Sequence, residues 1–330
     1  MKILVVKLSS LGDLVQALPT VHVLKQQLQA EVHWAAQTEY VPFVRTFSDV
    51  DRAIAFPRKN VTRRAHGFLR DLRRDRYELV VDLQGLLKSA LVTRLARANR
   101  RIGPSFHREG SRLFYDEVAG LRNVARHAVD QIMDTARHLA LDTSEYVFPI
   151  DAPRVKPDGP SPHLALCPLS RWRSKNWPVE NIARLAAMLS ERTNGTIHLV
   201  GGPGDRDKCA QICEAVSGQV VNHAGQTSLV ELTGLLAAVD LLVTNDSGPM
   251  HVAAAVGTPV LALFGPTDPG RTGPWGEQHR IVCADEPCMP CFKRKCRRMA
   301  CMHAIGVERV VREALDMVGG IEVISPSVRR

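Results

Sequence analysis

The amino-acid sequence predicts an α/β protein of two domains, each a parallel β-sheet covered by helices. Short apolar runs of strand length alternate with helix-like runs along most of the chain, which is the pattern of parallel sheets. Residues 151–162 contain four prolines and few apolar residues, a composition typical of a linker between domains. A length of 330 residues gives each of two domains enough chain for its own hydrophobic core.

The first domain is expected at residues 1–155. Its strands are predicted at 3–6, 32–36, 53–56 and 79–82, and its helices at 13–28, 61–74, 86–97 and 127–139. The first helix follows from Leu and Val side chains at three- and four-residue spacing. Asp13 stands at the start of this helix, directly after Gly12. From the residues alone, helix capping is the simplest role for Asp13.

The second domain is expected at residues 156–306, followed by a separate C-terminal segment at 307–330. Strands are predicted at 164–167, 197–200, 220–221, 241–243 and 260–264, and helices at 179–191, 206–216, 229–237, 249–256 and 307–318. The connections between parallel strands must be right-handed crossovers.

Two loops of the second domain are expected at the carboxyl ends of neighbouring strands, the edge where open α/β sheets bind ligands. One is Asp246-Ser247-Gly248, which opens a helix, and the other spans residues 265–270. The free N–H groups and the positive dipole end of that helix suit a phosphate. Two ordinary capped turns would give a similar pattern, and His251 could simply pack. Two such loops with His251 one turn into the helix favour a site for a phosphorylated ligand.

Composition is that of a globular protein, with 45% hydrophobic and 23% charged residues. The longest apolar runs have strand length, which is too short to cross a bilayer. The N-terminal apolar run is too short for a signal peptide, which predicts a cytoplasmic protein.

Positive charge is concentrated in the first domain. The formal net charge is +9, and ten basic but only four acidic side chains lie between residues 45 and 76. Such a cluster indicates a nucleic acid, an anionic membrane surface or an acidic substrate. An aromatic content of 5% argues against stacking on bases. Arg63 and Arg64, at the start of a helix, are the cluster members best placed to meet a ligand.

Five of the eight cysteines lie between residues 283 and 301. Four of them follow the spacing C-x₂-C-x₄-C-x₄-C: Cys288, Cys291, Cys296 and Cys301. In a cytosolic protein this spacing suggests a structural metal site, with zinc or an iron–sulfur cluster as alternatives. The intervals are shorter than in the usual pair of zinc knuckles, and basic side chains crowd the loop. Reduced thiols or a labile disulfide remain the alternatives.

Four sequence blocks together carry a family resemblance. They are KLSSLGD with a following Leu18-Pro19, DLQGLLKSA at 82–90, KNWP at 175–178, and NDSGPMHVAAAVGTPVLALFGPTDPG at 245–270. The set resembles the ADP-heptose:lipopolysaccharide heptosyltransferases, glycosyltransferase family 9, and the DLQGLLKSA block resembles the heptosyltransferase I branch. The resemblance implies the GT-B fold, with two Rossmann-like domains facing across a cleft. It also implies an acceptor-binding first domain, a donor-binding second domain, and a C-terminal helix at 307–318 that is a candidate to return to the first domain.

The resemblance further implies an inverting transfer of heptose from ADP-L-glycero-D-manno-heptose to Kdo of Kdo-lipid A. Asp13 is then the implied general base, and Lys175 the partner of the diphosphate charge. The implied donor-binding residues are Ser170, Lys175, Asp246, Ser247, Gly248, His251 and Gly12. The implied acceptor-binding residues are Ser10, Gln84 and Lys88, joined on charge and location by Arg63, Arg64 and Arg112.

No metal is required by this scheme, and a zinc ion at the cysteine cluster would be structural. The expected partners are ADP-heptose, Kdo-lipid A and the anionic inner leaflet of the inner membrane, with no nucleic acid. The protein is therefore expected in the cytoplasm, peripheral to that membrane. The alternatives are a family 9 transferase for another core sugar or acceptor, and a nucleotide-sugar epimerase of the same GT-B architecture.

Overall fold

The protein is described from a computed structural model that covers residues 1–58 and 61–319, without the side chains of residues 61–63. The chain divides into two compact units: the first comprises residues 1–153 together with residues 270–272, and the second comprises the other described residues after Pro153. Each unit contains one six-stranded sheet in which every strand pair is parallel. The predicted α/β architecture is confirmed.

The elements up to Pro153 are the strands β1 Lys2–Val6, β2 Glu31–Gln37, β3 Arg52–Phe56, β4 Tyr77–Asp82, β5 Ala98–Pro104 and β6 Glu117–Ala119, and the helices α1 Leu11–Gln16, α2 Leu18–Gln27, α3 Val41–Val44, α4 Val61–Leu72, α5 Leu87–Leu95 and α6 Ala128–His138. The elements after Arg154 are the strands β7 His163–Cys167, β8 Thr196–Leu199, β9 Val220–Asn222, β10 Leu241–Asn245, β11 Val260–Phe264 and β12 Arg280–Cys283, and the helices α7 Val179–Thr193, α8 Arg206–Glu214, α9 Leu229–Ala238, α10 Gly248–Ala255, α11 Pro269–Thr272, α12 Ala300–His303 and α13 Val307–Gly319. Short 3₁₀ turns lie at Thr38–Tyr40, Ser111–Phe114, Arg173–Lys175 and Pro203–Asp205.

The two sheets share one topology. The first has the order β3-β2-β1-β4-β5-β6 and the second β12-β11-β10-β7-β8-β9. In chain order both are the 3-2-1-4-5-6 arrangement of doubly wound sheets, read from opposite ends. The strand order reverses between β1 and β4 in the first unit and between β7 and β10 in the second. Ligands of such sheets bind at that reversal, outside the carboxyl ends of the strands.

Several elements differ from the sequence prediction. The single helix expected at 13–28 is two helices, because Pro19 has no N–H to donate into a continuous helix and instead occupies the first turn of α2. Strands β5, β6 and β12 were not predicted. The helix expected at 61–74 is two residues shorter and ends at Leu72.

Helix α13 belongs to the core of the second unit. Its apolar face, Val307, Val310, Val311 and Ala314, is buried in the same cluster as residues of α7, β7 and β10. The core extends to Trp177, whose indole N–H donates to the Ile305 carbonyl at 3.0 Å. This apolar face is therefore already covered within its own unit, although the sequence made α13 a candidate to return to the first domain. Residues 320–330 of the expected C-terminal segment lie outside the described residues.

Three histidines form a row across β7, β8 and the end of β9. His163 Nδ1 lies 3.1 Å from His198 Nε2, and His198 Nδ1 lies 3.0 Å from His223 Nε2. Burial, with His223 and His163 as neighbours, lowers the pKa of His198 to about 4. Burial also lowers the pKa of His223. Burial thus favours the neutral imidazole of His198 and of His223, and the three rings are joined by hydrogen bonds.

Candidate functional site

In the first unit the loop after β1 carries Asp13 on α1. Ser10 donates to Asp13 Oδ2 twice, from its N–H at 2.8 Å and from its hydroxyl at 2.5 Å. The carboxylate therefore forms part of a capping box at the start of α1, as well as lying at the carboxyl end of β1. Two donors on one oxygen fix the orientation of the carboxylate.

The loop after β4 is shaped by Asp82, a residue whose role was not predicted. Its Oδ1 accepts the N–H groups of Gln84 and Gly85 at 2.8 and 3.0 Å, and its Oδ2 accepts the Tyr115 hydroxyl at 2.8 Å. The carboxyl is fully buried, and that burial raises its pKa despite these donors. Gly85 has a φ of +71°, and a Cβ there would lie 2.9 Å from the Pro104 ring. The conformation of this loop therefore requires glycine.

The two loops of the first unit are tied together. The Leu8 N–H donates to Gln84 Oε1 at 2.8 Å, and Lys88 Nζ lies 3.5 Å from Ser9 Oγ. The four residues that were expected to act on the acceptor side thus lie on two adjoining loops, with Ser10 and Gln84, and in the first turns of the helices that follow, with Asp13 in α1 and Lys88 in α5.

Lys7 adds a buried cation beneath these loops. Its Nζ donates to the Leu83 carbonyl at 2.7 Å. Burial lowers the pKa of the Lys7 ammonium, opposed by the attraction of the nearby Asp13 and Asp82 carboxylates. Lys7 belongs to the KLSSLGD block, but no feature of that block predicts that Lys7 is buried.

The three predicted arginines differ in their surroundings. Arg64 is exposed on α4. Arg112 is exposed as well, but its guanidinium donates to the Tyr115 carbonyl at 3.0 Å and so supports its own turn. The side chain of Arg63 lies outside the described residues. These contacts leave their expected role towards the acceptor as a prediction.

In the second unit, Lys175 and Asp246 form an ion pair at the reversal of strand order. The Lys175 Nζ to Asp246 Oδ2 distance is 2.6 Å, and the side chains are 14% and 7% exposed. The Thr267 hydroxyl donates to the same oxygen at 2.7 Å. The pair joins the loop after β7 to the loop after β10, and Thr267 joins the loop after β11. Thr267 was missed, although its place after a buried strand was visible in the sequence.

Two asparagines and Ser170 hold the loop that carries Lys175. The Ser170 N–H and hydroxyl lie 2.7 and 2.9 Å from Asn176 Oδ1, and the same hydroxyl lies 3.0 Å from the Trp172 carbonyl. Asn245, at the end of β10, donates to the Pro168 carbonyl at 2.7 Å and accepts the Trp177 N–H at 3.2 Å. In this structure Ser170 thus serves the loop itself.

The remaining donor-side predictions surround the N-terminus of α10. Ser247 is its N-cap residue, 3.1 Å from the Thr244 hydroxyl, and Gly248 is its first residue. His251 lies half-buried in the first turn. Gly12 differs from these, since it is buried in α1 of the first unit. The N-terminus of α10 beside Asp246 is suited to an anion.

The four cysteines do not form a ligand set. Cys301 is buried, Cys291 is half-buried, Cys288 and Cys296 are exposed, and all four are free thiols. Within residues 1–58 and 61–319, no three His, Cys, Asp or Glu side chains converge so that they could share a metal ion. Cys301 packs against the loop after β11, where a Cβ at Gly265 would lie 3.0 Å from its sulfur. A structural zinc ion at these four cysteines stays a prediction.

Comparison with known proteins gives the family. The model for glycosyltransferase family 9 (heptosyltransferase) matches residues 65–302, more than half of the chain. The chain belongs to glycosyltransferase family 9. It is accordingly a heptosyltransferase, and the resemblance predicted from the four sequence blocks is confirmed.

Two curated relatives and one solved structure of this family illustrate the similarity. Lipopolysaccharide heptosyltransferase 1 of Pseudomonas aeruginosa is 29% identical, over 90% of this chain and 87% of the relative. Lipopolysaccharide heptosyltransferase 2 of Escherichia coli K12 is 30% identical, over 86% of this chain and 88% of the relative. The structure of E. coli heptosyltransferase WaaC with ADP has a TM-score of 0.78 and 22% identity, covering 96% of this chain and all of that chain. The fold is thus the GT-B fold that the sequence predicted.

The family 9 chain has no membrane-crossing candidate in its described part. None of the helices described is both long enough and apolar enough to span a bilayer.

Proposed function

We propose that this protein transfers L-glycero-D-manno-heptose from its ADP derivative to a Kdo hydroxyl of Kdo-lipid A, with inversion at the anomeric carbon. The observation that carries the donor half is the Lys175–Asp246–Thr267 cluster beside the N-terminus of α10. The WaaC structure with ADP, which has the same fold, supports the choice of nucleotide. The relative named lipopolysaccharide heptosyltransferase 1 supports the acceptor.

In the proposed reaction the acceptor oxygen bonds to the anomeric carbon as the bond from that carbon to the diphosphate oxygen breaks. Asp13 accepts the hydroxyl proton, and ADP leaves with the bonding electron pair. The two donations from Ser10 hold the Asp13 carboxylate in one orientation. Lys175 and the N–H groups of α10 stabilise the charge that develops on the departing diphosphate. Asp246 positions Lys175 and, by its family resemblance, contacts the heptose.

We also propose that the reaction proceeds without a metal ion, because Lys175 and the N-terminus of α10 supply positive charge at the donor site. Enzyme dialysed against a chelator should retain its full transfer rate. A rate that falls and returns on addition of Mg²⁺ or Zn²⁺ would contradict the proposal.

The acceptor is anionic, and the exposed arginines of the first unit support a role in meeting it. Arg64 and Arg70 are exposed on α4, and Arg73 and Arg74 are exposed directly after it. We infer that this basic face also attracts the enzyme to the anionic inner leaflet on the cytoplasmic side. More of the protein should sediment with anionic vesicles than with neutral vesicles. The fraction bound to anionic vesicles should fall at higher salt concentration and in a variant that carries both Arg73→Gln and Arg74→Gln. Equal binding to both vesicle types would contradict it.

The test of function incubates the purified protein with ADP-heptose and Kdo₂-lipid A and follows ADP release and acceptor mass. The expected result is a gain of one heptose. Asp13→Asn should lower the rate by about 10²–10⁴-fold, since a general base is lost. Asp207→Asn, which changes an exposed acid on α8, is the matched control and should be fully active.

A second acceptor distinguishes the proposed function from its principal alternative, transfer to another core acceptor. The E. coli relative named lipopolysaccharide heptosyltransferase 2 is as similar to this chain as the heptosyltransferase 1 relative, so the acceptor already carrying one heptose must be tested in parallel. Transfer to heptosyl-Kdo₂-lipid A but not to Kdo₂-lipid A would overturn the acceptor assignment and leave the donor intact. ADP release without any change in acceptor mass would point to another acceptor.

A further inference from the structure

Two cations lie close to one indole ring in the second unit. Trp172, in the loop between β7 and α7, has its ring centroid 4.4 Å from Lys175 Nζ and 4.8 Å from the guanidinium carbon of Arg294. Both distances are within the range of cation–π attraction. Lys175 belongs to the same loop as Trp172, whereas Arg294 comes from the cysteine segment, defined here as residues 288–302. This segment lies beyond all four sequence blocks of the family resemblance.

The cysteine segment is docked on the loop after β11, the loop that carries Thr267. The Phe292 N–H donates to the Pro266 carbonyl at 2.7 Å. A Cβ at Gly265 would lie 2.4 Å from Met302 Sδ and 3.0 Å from Cys301 Sγ, so these sulfurs pack directly against the loop backbone. Contacts on both sides of Arg294 thus hold the segment beside the Lys175–Asp246 pair.

The charges of the two cations are balanced differently. The Lys175 ammonium is paired with Asp246 at 2.6 Å. The Arg294 guanidinium has no carboxylate partner among the residues that the structure describes, and its side chain is exposed. A guanidinium stacked on an aromatic ring still presents the N–H donors at its edge, and their planar fork matches two phosphate oxygens.

We propose that Arg294 binds the diphosphate of the nucleotide-sugar donor, with Trp172 as the platform that holds its guanidinium. This inference rests on the proposed donor. It gives the cysteine segment a role that needs no metal ion, because the segment carries a ligand-binding arginine to the donor site.

Calorimetric titration with ADP and with adenosine tests the proposal. Arg294→Gln should weaken ADP binding about tenfold, the size of one charge-assisted hydrogen bond, and leave adenosine binding unchanged. Arg297→Gln is the matched control, since Arg297 is exposed in the same segment and its ADP affinity should equal that of the wild type. Trp172→Leu should weaken ADP binding as well, and Trp172→Phe, which keeps an aromatic platform, should restore most of it.

The outcomes separate this proposal from the proposed function. Unchanged ADP affinity in Arg294→Gln, with a wild type that binds ADP, overturns the role of Arg294 alone. Equal losses of ADP and adenosine affinity also overturn it, since Arg294 would then only support the loop. A folded wild type that binds no ADP overturns the donor assignment and this proposal with it.

Discussion

Substituting Lys175 and Asp246 singly and together should show that this ion pair serves function rather than stability. Lys175→Met leaves the Asp246 carboxylate largely buried, with the Thr267 hydroxyl as a donor; Asp246→Asn leaves the ammonium facing a neutral amide. Breaking a buried pair from one side is strongly destabilising, whereas replacing both charges is often neutral. The double variant should therefore be more stable than the sum of the two single effects predicts.

The size of this coupling follows from the geometry. At the observed 2.6 Å and an effective dielectric constant of about 20, the gross attraction is roughly 6 kcal/mol. Loss of hydration cancels much of this gain, and partial exposure of Lys175 screens it further. We expect a coupling free energy of about 2–3 kcal/mol.

The assay must report the second unit alone, because a chain of two units need not unfold in one step. Hydrogen exchange at the amides of β7 and β10, which flank the pair, measures the free energy of opening for the four proteins of the cycle. The two variants that lack the Lys175 ammonium should bind ADP more weakly than the wild type, including the double variant that regains stability. The reasoning would be refuted if the stability lost by the double variant equalled the sum of the two single losses, so that the coupling free energy was below about 0.5 kcal/mol.

Three further predictions concern the second unit. Burial lowers the pKa of His198 to about 4, so that the unfolded chain takes up a proton at a higher pH than the folded chain does. The free energy of unfolding should therefore be highest above about pH 6.5 and fall by up to ~3 kcal/mol towards pH 4. The titratable groups that face His198 are His163, His223 and Asp158. Urea midpoints against pH check this, and His198→Gln should flatten the profile. Iodoacetamide at pH 7 should label Cys296 first, because the N–H groups of Met299 and Arg298 and the charge of Lys293 lower the pKa of its thiol. Cys167 should be protected, because burial raises the pKa of its thiol to about 11. Peptide mass mapping gives the order of labelling. Gly265→Ala should lower the melting temperature through a clash of about 1–3 kcal/mol with Met302, whereas Gly204→Ala, whose Cβ meets open space, should not.

Five of the strands that the sequence revealed are buried on both faces. β1, β4, β7, β10 and β11 have almost wholly buried side chains, so their sequences are continuous apolar runs. β5 was missed because its surface carries Arg100 and Arg101, which pair with Glu117 and Asp116. A strand stabilised by ion pairs to its neighbour has no apolar signature.

The features of the donor site also divide into those that the sequence revealed and those that only the structure shows. Asp246 could be picked out because polar residues directly after buried strands meet at one sheet edge. Lys175 could be picked out because it stands in the KNWP block of the family resemblance. Their pairing with each other could not, since it depends on how the loops after β7 and β10 fold back. Arg294 was hidden among neighbouring basic residues of the cysteine segment, and only the tertiary contact with Trp172 sets it apart.

The charge balance of the donor site limits what a ligand can gain there. An incoming diphosphate must share the Lys175 ammonium with Asp246, whose carboxylate repels it. The N-terminus of α10 contributes roughly half a positive charge, and Arg294 contributes a full one without an acidic partner among the described residues. Each added phosphate should therefore draw mainly on Arg294 and α10 rather than on Lys175. In the wild type, ADP should bind more tightly than AMP because of its second phosphate. We expect Arg294→Gln to reduce this difference between ADP and AMP far more than it reduces the affinity for adenosine.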